Sequence, residues 1–279
     1  MIDNKTQLPT IAVIGCGNMA RAMLGGLVGT EIDKKYHFNC SSRSIESARA
    51  LADCFRSATP MIDNAEAVAQ ANKVILSIKP QQAQKVCQEI AAKLSSDCHI
   101  ISVMAGINVQ TLSQWCKTLK ISRVMPNTPA LIGQGMSGVF HHSEVGEKDR
   151  AFITTMVNNV GKSITVDDED KIHSITAVSG SGPAYFFHFI YQMQKAAEEF
   201  GFSPEQAEEL VKQTALGAVK LVAESDDDAL TLQKKVCSPG GTTEQAINTF
   251  EHLGTGKIIQ EAMKACYKRS VELSAAFRL

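Results

Sequence analysis

Ile11-Ala12-Val13-Ile14-Gly15-Cys16-Gly17-Asn18-Met19-Ala20 reads as a strand, a turn and the start of a helix. Ile11 to Ile14 are apolar and mostly β-branched, which suits a strand buried on both faces of a parallel sheet. Gly15, Gly17 and Ala20 then follow at G-x-G-x-x-A spacing. The first glycine makes the tight turn, the second lets the backbone approach a pyrophosphate, and Ala20 lets the helix pack close to the strand. Met23, Leu24 and Leu27 continue at helical spacing. An ordinary strand-to-helix turn can share this spacing, but the flanking strand and helix are the context that dinucleotide binding requires.

A second strand is expected over 36–40, and its end is where such folds read the adenosine ribose. NAD sites usually place an acid there to accept from the 2′-OH. Here the residues are Asn39-Cys40-Ser41-Ser42-Arg43, with no acid before Glu46. A guanidinium beside two hydroxyls suits a 2′-phosphate. Ser42 or Ser44 capping the next helix, with Arg43 solvated, explains any one of these residues equally well. The missing acid decides for NADPH, with NADH the weaker alternative.

Onward from there, strands and helices alternate: helices near 44–53 and 64–71, a strand over 73–78, a helix 81–93, a strand 99–103, a helix 108–117 and a strand 121–125. This is the pattern of a doubly wound sheet. Its ligand edge is the carboxyl end of the strands. That edge carries the remaining candidate cofactor contacts: Ile78, Lys79 and Pro80, then Ala105 and Gly106, then Asn127, with Asn18 and Met19 at the first turn. For Lys79 alone, a snorkelled surface lysine is an equal reading. Residues 133–140 and 162–166 are expected as edge strands around a helix 147–160. Past Asp167 to Asp170 the β signals stop, so the chain divides into a dinucleotide-binding domain, 1–166, and an all-helical domain, 167–279. Pro183 suits the first turn of one helix, Ser203-Pro204-Glu205-Gln206 is a capping box for the next, and helices over 226–236 and 256–277 follow. These helices carry more apolar and small residues than so small a bundle need bury, which points to a subunit interface.

The chain has 279 residues, 44% of them hydrophobic, and a formal charge of −1, enough to build a large core and giving no general pull toward polyanions. No dense basic stripe interleaved with aromatics marks a nucleic-acid surface. The eight cysteines lack a C-x-x-C pair, as expected of reduced thiols, and metal binding is not indicated. The N-terminus is polar and no apolar run reaches membrane-spanning length, so a cytoplasmic protein is expected.

In the helical half, Ser238-Pro239-Gly240-Gly241-Thr242-Thr243-Glu244-Gln245 is a glycine turn leading into a helix. Free backbone N–H groups, a positive dipole end and several hydroxyls make a site for a carboxylate-sized anion. Thr242 and Gln245 are expected to form a capping box, with Thr242 at the cap and Thr243 turned about 100° away toward the cleft. A capped helix with nothing bound is the alternative, since Glu244 can itself satisfy the dipole. Against it stands the lack of another polar cluster in this half. The seven histidines lie outside the glycine turns, and His173 and His188 are expected in the core or an interface. Hydride transfer to an activated carbon needs orientation and dryness more than a strong base, so a hydroxyl suffices as the polar catalyst.

Taken together, 14–20, Lys79-Pro80-Gln81, Arg123-Val124-Met125-Pro126-Asn127-Thr128-Pro129-Ala130, Ala177-Val178-Ser179-Gly180-Ser181-Gly182-Pro183-Ala184-Tyr185 and Val236 to Thr243 resemble the pyrroline-5-carboxylate reductase family over nearly the whole chain. The resemblance implies an NAD(P)H-dependent reduction of the cyclic imine 1-pyrroline-5-carboxylate to L-proline, the last step of proline synthesis. It implies a homodimer with interleaved helical domains, often built into a larger ring such as a decamer. Carried onto this chain, it places the substrate carboxylate on Ser238, Gly241 and Thr242, with Gly240 beside them, Thr243 on the ring nitrogen as the catalytic hydroxyl, and Asn64 near the adenosine ribose of the cofactor. Two rivals remain. A 3-hydroxyacid dehydrogenase also joins such a turn to a helical domain, but Lys195 lacks the Gly-rich turn and Gly-x-x-x-Lys spacing associated with that class. A dinucleotide sensor without turnover is the other.

Overall fold

The computed structural model describes residues 8–277. Two compact units emerge: residues 8–181 with 266–277, and Gly182–Ala265.

The first unit is built on strands β1 (Thr10–Ile14), β2 (His37–Ser41), β3 (Ala58–Met61), β4 (Ala71–Leu76), β5 (His99–Ser102), β6 (Ile121–Met125), β7 (Gly135–His141) and β8 (Gly161–Val166). Its helices are α1 (Asn18–Gly25), α2 (Glu31–Lys35), α3 (Ile45–Ala52), α4 (Asn64–Val68), α5 (Pro80–Ala91), α6 (Val109–Cys116), α7 (Glu147–Asn158) and α8 (Lys171–Ile175). The strands form one sheet in the order β3-β2-β1-β4-β5-β6-β7-β8. Pairing is parallel except between β6 and β7. The order reverses beside β1, and that switch point opens a crevice at the carboxyl ends of the strands. Ile11, Val13, Phe38 and Cys40 pack on one face, while Ala12, Ile14, Val74 and Leu76 pack on the other. Burial on both faces is what the continuous apolar runs require.

Two expectations change here. Residues 135–141 are not an edge strand: β7 lies inside the sheet and β8 takes the edge. The backbone divides at 181/182 and not at 166/167, and the end of the chain returns to the first unit. Side chains account for that return. His173 Nδ1 lies 2.8 Å from Ser270 Oγ and its ring meets Tyr267 edge-on, while Phe277 packs on the core beneath α5 and α6.

The second unit takes α9 (Gly182–Glu199), α10 (Pro204–Glu224), α11 (Ala229–Val236), α12 (Thr242–His252) and the first part of α13 (Thr255–Ala276). The expected capping box at α10 forms in full: Gln206 N donates to Ser203 Oγ, and Ser203 N to Gln206 Oε1. Phe186, Phe187, Phe189, Leu216, Val219 and Ile258 are exposed on this chain. Among the described residues no helix is long and apolar enough to cross a membrane.

Candidate functional site: a dinucleotide groove and a glycine turn

The turn after β1 is held from two sides. Gly15 N donates to Ser41 O at 2.8 Å, and Ser77 N to Ile14 O at 2.9 Å. Gly15 has φ +94°, and a Cβ there would drive into the Ser77 carbonyl, so only glycine fits. Gly17 is the N-cap of α1, carries no capping side chain and faces open space. Arg21 N closes the first helical bond, to Gly17 O at 3.0 Å. The preceding N–H groups, from Asn18 to Ala20, have no partner within the helix and form a dipole-backed anion site.

A cleft of about 540 Å³ runs past this turn between Ser41, Ser42, Arg43 and Asn64 on one wall and residues of the β4–α5 segment on the other. A second, about 360 Å³, shares Gly17, Ser77, Ile78 and Lys79 with it and continues over Met19, Pro80, Met104, Ala105 and Met125. The shared residues make the two one groove, polar and cationic at the Arg43 end and apolar at the Ala105 end. That polarity matches a dinucleotide, with phosphates at the turn and a flat ring in the apolar end. Ser41 is fully buried and donates from Oγ to Asn64 Oδ1 at 2.8 Å, which joins β2 to α4 beneath the wall.

Two predicted contacts are committed elsewhere, and a third, Ala20, offers the groove only its N–H. The Ala20 side chain lies on the buried face of α1, where it serves the expected packing. Gly106 is turned under the last helix, 3.3 Å from Leu273 to a Cβ at that position. Asn127 commits its amide to the frame: Nδ2 donates to Ser179 O at 3.0 Å and Oδ1 accepts from Met136 N at 2.9 Å. Conversely, Gln82, Lys85, Val86 and Glu89 line the groove without having been expected there. Their spacing of three and four along a helix that starts at the ligand edge is the signal that locates them. A roomier cleft of about 720 Å³, lined by Ser96, Asp97, Lys117, Lys120 and Glu144, opens at the amino ends of β5 and β6. It holds none of the predicted residues and lies on the wrong edge for a doubly wound sheet.

The amino edge carries a buried ionic cluster instead. Asp149 accepts from Lys73 and, at 2.8 Å, from Lys120. His99 Nε2 lies 2.8 Å from Ser122 Oγ, which lies 2.7 Å from His141 Nδ1. His99 Nδ1 stands 3.8 Å from Asp149 Oδ1, beyond hydrogen-bond reach. Burial, with lesser opposition from Asp149, pushes His99 down to about 3. Burial and then Arg150 push His141 down to about 4, so both rings are neutral at pH 7.

In the second unit, the Ser238–Thr243 turn forms, but its cap differs from expectation. The Thr242–Gln245 box is absent: Gly241 is the N-cap, without a side-chain bond, and Thr242 and Thr243 are the first two helical residues. The turn itself causes the shift. Gly241 N donates to Ser238 O at 2.9 Å, and Gly240, at φ +71°, donates to Glu244 Oε2 at 2.8 Å. The helix therefore starts one residue early. Gln245 N bonds Gly241 O at 3.3 Å, which leaves the N–H groups of Thr242, Thr243 and Glu244 as the first-turn donors. Neither threonine hydroxyl is spent on capping, and Thr243 is half-buried while Thr242 is exposed.

Comparison with known proteins agrees with both halves. Residues 169–273 match the pyrroline-5-carboxylate reductase dimerisation family, and residues 10–106 match the coenzyme F420-dependent NADP oxidoreductase family. A pyrroline-5-carboxylate reductase of Pseudomonas aeruginosa is 40% identical over 268 residues, covering 95% of this chain and 97% of that protein. The structure of a pyrroline-5-carboxylate reductase from Coxiella burnetii superposes with a TM-score of 0.85 at 35% identity, covering 95% of this chain and 98% of that one. A Plasmodium falciparum pyrroline carboxylate reductase crystallised with NADP bound superposes at 0.81 with 26% identity, over 95% and 98% of the two chains. The chain belongs to the pyrroline-5-carboxylate reductase family.

Proposed function

We propose that this protein reduces 1-pyrroline-5-carboxylate to L-proline with NADPH, NADH serving less well. The observation that carries the reading is that one chain holds both a dinucleotide groove with Arg43 on its wall and a helix N-terminus whose turn leaves two threonine hydroxyls uncommitted. When bound, NADPH supplies the hydride. The α1 N-terminus holds the cofactor's phosphates, and Arg43 with Ser42 holds the 2′-phosphate. Ile78, Lys79, Pro80 and Ala105 line the groove beyond the turn, excluding water there. On α12, the N–H groups of Thr242 and Thr243 and the Ser238 hydroxyl take the substrate carboxylate. Gly240 and Gly241 keep Cβ atoms away from it. As the imine carbon accepts hydride its nitrogen becomes an amine, and the Thr243 hydroxyl donates or relays the proton that balances the charge.

The dimerisation family matched over 169–273 supports a homo-oligomer, and the exposed phenylalanines of α9 supply an apolar face for it. Assembly as a dimer that builds larger rings, and residence in the cytoplasm, belong to the same reading; the latter is supported by eight unpaired thiols. The test is cofactor oxidation and proline formation with pyrroline-5-carboxylate, with 3-hydroxyacids as controls. Turnover of hydroxyacids alone overturns the proposal. Calorimetry with proline in the presence of NADPH separates an enzyme, which binds it, from a dinucleotide sensor, which does not.

A further inference from the structure

Cys16 sits between the two glycines of the phosphate turn and borders the groove, and Cys40 lies on the adjoining β2. Both belong to the same apolar cluster on one face of the sheet. Cys16 Sγ donates to the carbonyl of Ser41 at 3.4 Å, the residue after Cys40, which makes the two cysteines neighbours in that cluster. We infer that Cys16 and Cys40 form a redox-active dithiol beside the dinucleotide groove, which a hydroperoxide converts reversibly into an intrachain disulfide that weakens NADPH binding.

The groove gives a small oxidant its route to Cys16, and a dinucleotide lying over the turn closes that route. The Cys40 contact, then the Arg21 charge, lower the Cys16 thiol against the opposing effect of burial, whereas that contact and burial push Cys40 up. Cys16 borders the groove and Cys40 does not, so Cys16 is the attacking sulfur and Cys40 the resolving one. The Cys16 thiolate attacks a peroxide oxygen, the O–O bond breaks, and a sulfenic acid forms as water or an alcohol leaves. The Cys40 sulfur then attacks the Cys16 sulfur. The S–O bond breaks, and the hydroxide departs as water with the Cys40 proton. Two thiols and one hydroperoxide yield one disulfide with water and the reduced oxidant, and a small thiol reverses the step. Bridging draws Cys16 toward β2 and tilts the peptide between Gly15 and Gly17, whose geometry sets the phosphate donors.

The chain contains its own control. Cys87 on α5 and Cys116 on α6 are likewise neighbouring thiols, as deeply buried as Cys16 and Cys40, but neither borders the groove.

The inference rests on reading the groove as the NADPH site. The bridge itself is read by mass without turnover, so the two can fail separately. The full-length oligomer is treated with hydrogen peroxide, alkylated and digested without reductant. The expected result is a joined Cys16–Cys40 peptide, NADPH binding weakened about tenfold by fluorescence titration, and recovery with dithiothreitol. Saturating NADPH during oxidation slows bridging by at least about tenfold. Cys40→Ala and Cys40→Ser retain untreated activity and escape the reversible loss. A bridge at Cys87–Cys116 or through the exposed Cys54 in its place, no joined peptide at all, unchanged NADPH affinity in the bridged protein, or bridging indifferent to NADPH overturns the inference.

Discussion

Glu244, three residues into α12, reaches back so that its Oε2 accepts the N–H of Gly240 at 2.8 Å. The carboxylate thereby clamps the glycine turn, yet it also sets a negative charge beside the donors proposed for the substrate's own carboxylate. The two effects can be pulled apart. Glu244→Gln keeps an acceptor and drops the charge, and is expected to lower KM for pyrroline-5-carboxylate about twofold. Glu244→Ala releases the turn and is expected to raise it severalfold. Steady-state kinetics on both variants at saturating NADPH is the check, and equal KM values for the two would remove Glu244 from the account.

The threonines divide differently from the sequence expectation. Since Gly241 and not Thr242 is the cap, neither Thr242→Ala nor Thr243→Ala loses a capping bond, and both variants should melt within a few degrees of the parent. Thr243→Ala alone is expected to lower kcat, by about 10²- to 10⁴-fold if it acts as a typical general acid. A Thr243→Ala enzyme with parental kcat would leave protonation to solvent.

Arg43 is exposed at the polar end of the groove, across from Lys85. Arg43→Ala removes a charge-assisted partner for a 2′-phosphate and should cut kcat/KM for NADPH about tenfold while leaving NADH nearly unaffected. The ratio of the two efficiencies reports this directly, independent of any general loss of activity.

The neutral imidazoles at the amino edge make the fold acid-sensitive. An unfolded chain takes up protons on these rings as the pH falls through about 6.5, whereas His99 and His141 stay neutral in the folded protein until about 3 and about 4. The unfolded state then binds more protons, and stability present above 6.5 is lost as the pH falls. The loss is roughly 1.4 kcal/mol per pH unit for each ring in that window. Asp149 is held low by Lys120 and Lys73 against its burial, so its contribution persists until the pH drops below the ordinary carboxylate range. Denaturant midpoints at pH 7 and 5 should therefore differ, and His99→Gln should reduce the difference.

Residues that act through local periodicity were legible in the sequence, and those that act through partners distant in the chain were not. The strand at 11–14 and the turn behind it stand out because burial on both faces demands an unbroken apolar run. β3 escaped because it is an outermost strand, half-exposed, with Pro60 paired to Cys40 at an edge that tolerates a missing donor. The capping box at Ser203 was readable because both its partners lie within one turn. At Thr242 the same pattern failed, since Gly240 and Glu244 close the turn first. Asn127 sits at the carboxyl end of a strand, as a ligand contact would, but Ser179 and Met136 claim its amide. Nothing in a linear pattern announces those partners.

The return of 266–277 to the first unit sets an order on how the protein is made. His173 must wait for Ser270, and the face beneath α5 and α6 for Phe277, until the whole of the second unit has been synthesised. The nucleotide half begins synthesis first yet is completed last. A message truncated after α12 would encode every strand of the sheet and still leave that sheet partly unroofed, a ready target for chaperones and proteases.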